Sequence, residues 1–96
     1  MRTIALVHHR VADFDAWKQV YDGFADAMRE GGIRWQHVWR DQDDPSMVVV
    51  ISMFDGPEAA HAFFDRADLK EAMGSAGVDT SSLTIEFLDE VGGGAP

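Results

Sequence analysis

The chain has 96 residues, 46% hydrophobic and 26% charged, which is the composition of one globular domain with a single small core. A net charge of -9 argues against nucleic acid and anionic membranes, and the absence of cysteine excludes disulfides, thiol nucleophiles and thiolate metal sites. The apolar run Ile4 to Val7 is too short for a signal peptide, and no segment approaches the roughly 18 apolar residues of a membrane span, so a cytoplasmic location is expected.

Thr3 to Arg10 reads as a first strand, apolar from Ile4 to Val7 and ending near His8-His9. Asp13 is placed to cap a helix, with Asp15 adding negative charge to its first turn. Phe14, Trp17, Tyr21, Phe24 and Met28 then recur at helical spacing on one face, and Gly31-Gly32 ends the segment. Ile33 to Asp41 and Met47 to Phe54 read as strands joined by the turn-rich Asp41-Gln42-Asp43-Asp44-Pro45-Ser46. Asp55 and Glu58 have the spacing of a capping box for a second helix, whose apolar stripe is Ala60, Phe63, Phe64 and Ala67. Asp68-Leu69-Lys70-Glu71 repeats the start signal, predicting a break between Asp65 and Asp68 and a restart through Met73, with Gly74 and Gly77 ending the helix. Ser82 to Val91 is the last strand, so the domain is expected over 1–91, with 92–96 a flexible tail.

The order β-α-β-β-α-β, with right-handed crossovers, predicts an α+β ferredoxin-like domain: a four-stranded antiparallel sheet with both helices on one face. Met47 to Ile51 is apolar on both of its faces, yet two helices cover only one side of the sheet. The simplest cover for the other side is the same sheet of a second copy, which predicts a homodimer through the sheet faces.

Within a strand, Trp35, His37 and Trp39 share a face, forming an aromatic wall that suits a flat organic molecule and carries a proton-exchanging group. His9 has the parity of Ala5, Val7 and Val11, toward the helices, whereas His8 points the other way. His9 and His37 are therefore the catalytic candidates, as acid or base. Trp35, Trp39 and Tyr21 are the substrate-binding candidates, and Tyr21, on a buried stripe, needs a partner for its hydroxyl. Trp17 reads as core, His61 as a helix flank, and Glu86 as a partner-facing group beside Thr84 and Leu88. No His-x-His, His-Glu-x-x-His, glycine-rich phosphate loop or nucleophile elbow is present, so neither a metal nor a cofactor is expected.

The element order and several motifs resemble the dimeric α/β-barrel superfamily, and within it the small antibiotic-biosynthesis-monooxygenase-like and polyketide-cyclase-like proteins. The resembling residues are Val11 to Lys18 at the first helix, Gly31-Gly32-Ile33 before the second strand, Arg40 to Pro45 at the hairpin, and Leu69 to Val78 after the second helix. The resemblance implies a pocket between helices and sheet in each subunit, holding a flat hydrophobic substrate. Monooxygenase members combine Trp, Tyr or Asn near that substrate, and this chain contains no asparagine. The expected function is a small cofactor-independent enzyme acting on an aromatic or polyketide-like substrate, by cyclisation or a proton-transfer rearrangement using a histidine. The alternatives are cofactor-free oxygenation of the same substrate class and a non-catalytic ligand-binding dimer.

Overall fold

A computed structural model describes all 96 residues, Met1–Pro96. In chain order the elements are β1 (Thr3–Val11), α1 (Phe14–Gly23), α2 (Ala25–Glu30), β2 (Trp35–Arg40), β3 (Met47–Phe54), α3 (Pro57–Phe64), α4 (Ala67–Ser75) and β4 (Val78–Asp89). The strands form one antiparallel sheet in the order β2-β3-β1-β4, the ferredoxin-like arrangement. All four helices cover the same face.

The local signals act as expected at the first crossover. The Asp13 carboxylate accepts from the Ala16 amide at 3.2 Å, supplying an acceptor to one of the free amides of the helix start. The stripe then breaks at Phe24, where one continuous helix is expected from periodicity. Phe24 N donates to Tyr21 O in a tight turn directly after Gly23, a weak helix former. Gly32 adopts φ +95, and a Cβ on Gly31 would lie 2.4 Å from the Phe63 ring, so this glycine pair both ends α2 and admits Phe63 against the backbone.

Two further expectations are corrected. The Asp55–Glu58 capping box is not formed: Gly56 is the N-cap of α3 and no side chain caps it. Asp55 instead accepts from Arg34 Nε at 3.0 Å, a charge-assisted bond that holds the carboxylate away from the helix end. The predicted helix break is present between Phe64 and Ala67, but α4 runs to Ser75 and β4 starts at Val78, four residues before Ser82.

Cross-strand register assigns every side chain to a face. Val48, Val50, Ser52 and Phe54 of β3 pair with His9, Val7, Ala5 and Thr3 of β1, and these residues look toward the helices. Two apolar clusters form there, one around Phe54 and Phe63 and the other around Trp17, Val48 and Val50. The opposite face presents three rows across the sheet: Trp35-Met53-Ile4-Leu88, His37-Ile51-Leu6-Glu86 and Trp39-Val49-His8-Thr84. No element of the chain covers it, and Trp39 is 55% exposed.

Candidate functional site

Between the helices and the sheet lies a cavity of about 70 Å³. Its floor is Val7, His9, Val50 and Ser52; Trp17 and Tyr21 form one wall, and Phe64, Leu69 and Met73 the other. The walls follow from the two amphipathic helical segments, each laying its apolar stripe on the central strands. No charged side chain lines the space.

His9 is placed by an irregularity. The β1–β4 register shifts between His8 and Arg10, so that Thr84 pairs with His8 and Asp79 with Arg10. His9 has no β4 partner, as at a bulge, where a strand locally kinks and re-aims a side chain. The amide this shift releases is not wasted: Arg10 N donates to Ser82 Oγ at 2.8 Å, and Ser82 Oγ donates to the Asp79 carbonyl at 2.7 Å. The His9 side chain is buried at 3% exposure against the edge of Trp17, with ring centroids 5.7 Å apart. Its Nδ1 is sealed from solvent without a hydrogen bond. Burial lowers the His9 pKa below the usual histidine value; the carbonyls of Arg10 and His9 oppose this, although neither accepts a bond from Nδ1. The ring is therefore neutral at pH 7.

Tyr21 stacks on Trp17 at 4.9 Å and donates its hydroxyl to Gln36 Oε1 at 2.7 Å. Burial, aided by the Asp22 charge, raises its pKa well above the ordinary tyrosine value, so it is a structural hydroxyl and not an acid at neutral pH.

The expected site residues are thus divided. His9 and Tyr21 line the cavity, whereas Trp35, His37 and Trp39 do not, because their register partners Met53, Ile51 and Val49 belong to the uncovered face. The aromatic wall is real, with ring centroids 5.2 Å apart for Trp35 and His37 and 6.0 Å apart for His37 and Trp39. It stands on the other side of the sheet from His9, so one shared pocket is ruled out. His61 stacks on Phe87 at 3.9 Å on the helix flank. Ser52 is a cavity residue that sequence reasoning missed; the signal was a single hydroxyl in the otherwise apolar run Met47 to Phe54. No three His, Asp or Glu side chains converge in a metal-binding arrangement, and no helix is long and apolar enough to cross a membrane.

No protein-family model matches the sequence, and no curated protein matches it at a significant level. Solved structures do match over nearly the whole chain. A candidate antibiotic biosynthesis monooxygenase from Chloroflexus aurantiacus is 19% identical, covering 99% of this chain and 98% of its own, with a TM-score of 0.73. One from Caulobacter crescentus is 15% identical over 95% of this chain and 91% of its own, with a TM-score of 0.77. SnoaB, a cofactor-independent oxygenase from Streptomyces nogalater, is 12% identical over 90% of this chain and 87% of its own, with a TM-score of 0.68. At these identities the likeness is one of architecture: the chain has the ferredoxin-like α+β fold of the antibiotic-biosynthesis-monooxygenase-like proteins that its sequence motifs resemble.

Proposed function

We propose that the helix–sheet cavity is the active site of a small cofactor-independent enzyme acting on an aromatic or polyketide-like substrate, with His9 as the proton acceptor. The observation that carries this reading is the neutral, buried imidazole at the floor of an apolar cavity, its Nδ1 without a protein partner. Buried polar groups are nearly always hydrogen-bonded, and exceptions concentrate where chemistry is done. A neutral imidazole accepts a proton from an acidic C–H or O–H, and the electron pair left behind spreads over the substrate's conjugated rings. In oxygenation that carbanion reduces and captures dioxygen. The net change converts CH₂ and O₂ into C=O and H₂O, with all four electrons supplied by the substrate, so no external reductant is needed. Cyclisation begins with the same proton transfer, followed by attack of the carbanion on a carbonyl of its own chain. The architectural likeness to SnoaB favours oxygenation.

The cavity is smaller than the roughly 150 Å³ that takes up benzene, so a polycyclic substrate must widen it. The lightest wall is α4, which contributes no buried residue and presents the flexible Met73. Incubation with an enolisable tricyclic ketone such as an anthrone in air tests the proposal. The expected result is one O₂ consumed per quinone formed, lost in His9→Ala with the circular dichroism unchanged. Saturable binding without product, in air or under nitrogen, would replace the enzyme with a binding protein.

We further propose that the uncovered face is the contact of a homodimer. A two-fold axis parallel to the strands lays β2 over the partner's β4 and leaves the rows in step. Trp35 then meets the partner's Leu88, and His37 meets the partner's Glu86, twice over by symmetry. An axis perpendicular to the strands would instead set Glu86 against the partner's Glu86. The observations supporting this reading are the row pattern and the exposure of both indoles.

A further inference from the structure

We infer that Ser52 is a second polar anchor in the cavity, and that the ligand it fits is an elongated flat molecule of two or three fused rings carrying a neutral oxygen at the end remote from His9. This deepens the proposed function and rests on it only in taking the cavity to hold a ligand.

Ser52 is 3% exposed and lines the cavity, yet its hydroxyl has no hydrogen bond within the protein. Its neighbours explain why. Across the sheet it pairs with Ala5, which has no polar side chain, and with Gln36, whose Oε1 accepts from Tyr21 and whose amide nitrogen makes no bond to Ser52. The strand carbonyls are engaged in the ladders on either side, because β3 is an interior strand. Of the two polar residues on the floor of this apolar cavity, His9 has a sealed Nδ1 without a partner, and Ser52 makes no side-chain hydrogen bond within the protein.

Their spacing selects the ligand. His9 pairs with Val48, and Ser52 lies four residues further along β3, which at the strand rise sets their backbones about 13 Å apart along the sheet, with both side chains rising from the same face. Allowing a hydrogen bond of about 2.9 Å at each end leaves roughly 7 Å between the ligand atoms that meet them. That is the span of two or three linearly fused rings. Between the anchors the floor is the apolar pair Val7 and Val50, and Trp17 and Tyr21, stacked on each other 24° from parallel, form an aromatic wall. A serine hydroxyl both donates and accepts, so the remote group is a hydroxyl or a carbonyl. With no charged side chain lining the space, a carboxylate or phosphate at that end would be desolvated without compensation.

Direct binding measurements with 2,6-dihydroxynaphthalene and 2-naphthol, which lacks the remote hydroxyl, test the inference by calorimetry. The diol is expected to bind the unaltered protein about three- to tenfold more tightly, the worth of one neutral hydrogen bond. Ser52→Ala is expected to abolish that difference by weakening the diol alone. The ligand-free Ser52→Ala protein is expected to melt no lower than the parent, because the variant deletes a buried hydroxyl that has no partner. Equal effects on both probes, no effect on either, or failure of both to bind would overturn the anchor. So would a clear fall in the melting temperature, which would mean that the hydroxyl is bonded within the protein or to a structural water. Turnover enters none of these readings: a protein that distinguishes the probes through Ser52 but shows no His9-dependent product keeps the anchor and loses the reaction.

Discussion

The two faces of the sheet carry similar chemistry in different surroundings. On the helix face an imidazole, His9, lies against the indole of Trp17; on the uncovered face an imidazole, His37, lies between the indoles of Trp35 and Trp39. His9 is buried and its Nδ1 has no partner, whereas His37 is exposed. Burial in an apolar cavity strips His9 of the water that would stabilise its cation and makes it a neutral base. His37 keeps access to solvent and to any surface laid over it. Residue type is shared, and the side of the sheet decides which ring can meet a substrate in a dry space.

The sharpest way to break this comparison is to remove each imidazole in turn. His9→Ala is expected to lower turnover of an anthrone-type substrate by about 10²- to 10⁴-fold, the usual loss when a positioned base is deleted. His37→Ala is expected to leave turnover per subunit near that of the parent while loosening the dimer. Equal losses in the two variants would place both rings in one catalytic unit and end the division between the faces. Next in size is Trp39→Glu, which introduces a charge into the proposed interface. A tryptophan covered in an interface contributes about 2 kcal/mol or more, and the symmetric dimer alters two of them, so the dimer constant should weaken by at least about 30-fold in sedimentation. Binding of dihydroxynaphthalene should be unaffected, because Trp39 does not line the cavity.

How much of this was legible depends on where the deciding information lies. The parity of His9 could be read locally, since Val7 and Val11 run straight into the helix that must be covered. For Trp35, His37 and Trp39 local alternation puts the three rings on one face but does not say which side of the sheet that face takes. Three aromatic rings opposite Arg34, Gln36, Val38 and Arg40 look like an inward face, and only the register with β3 shows that they look outward. The polar set is tolerated on the helix side because β2 is an edge strand and its long side chains reach the rim. Arg40 lies 4.3 Å over the Phe14 ring, and Gln36 accepts from Tyr21. The break at Phe24 was hidden for a related reason: the apolar stripe keeps its period across it, and periodicity reports a face, not a continuous hydrogen-bond ladder. The early start of β4 was obscured by Asp79, Ser81 and Ser82, which read as turn residues and form the turn of the bulge, with Asp79 Oδ1 accepting from Ser81 N at 3.1 Å.

Tyr21→Phe probes the rim between the two faces. The Gln36 end of the bond is on an exposed residue that water can satisfy after the hydroxyl is removed, and the ring retains its stack on Trp17. The expected loss is about 1 kcal/mol in denaturant unfolding. A loss of several kcal/mol would mean that the hydroxyl organises the cavity wall and does more than fasten its edge.

The gentlest test uses pH. The lowered pKa of His9 in the folded protein means that, below about pH 6.5, the unfolded chain takes up a proton which the native cavity resists. Stability therefore falls as the pH drops from about 6.5 toward the folded value of His9, with a limiting slope of about 1.4 kcal/mol per pH unit for one proton. Replacing His9 with leucine removes this contribution and leaves the exposed carboxylates unchanged. Asp44, Asp55, Asp68 and Asp79, whose pKa values are held low by hydrogen bonds from Ser46 and Arg10, Arg34, Arg66 and Ser81 respectively, lose their stabilising effect only in more acidic solution. The difference between His9→Leu and the parent should then grow in favour of the variant from pH 7 to pH 5. In catalysis the same group should give a rising limb in kcat/KM with its midpoint below 6.5, because the unprotonated ring is the active form. Parallel stability curves for the two proteins would show that the buried ring is hydrated, and would remove the contrast with His37 on which the assignment of the site depends.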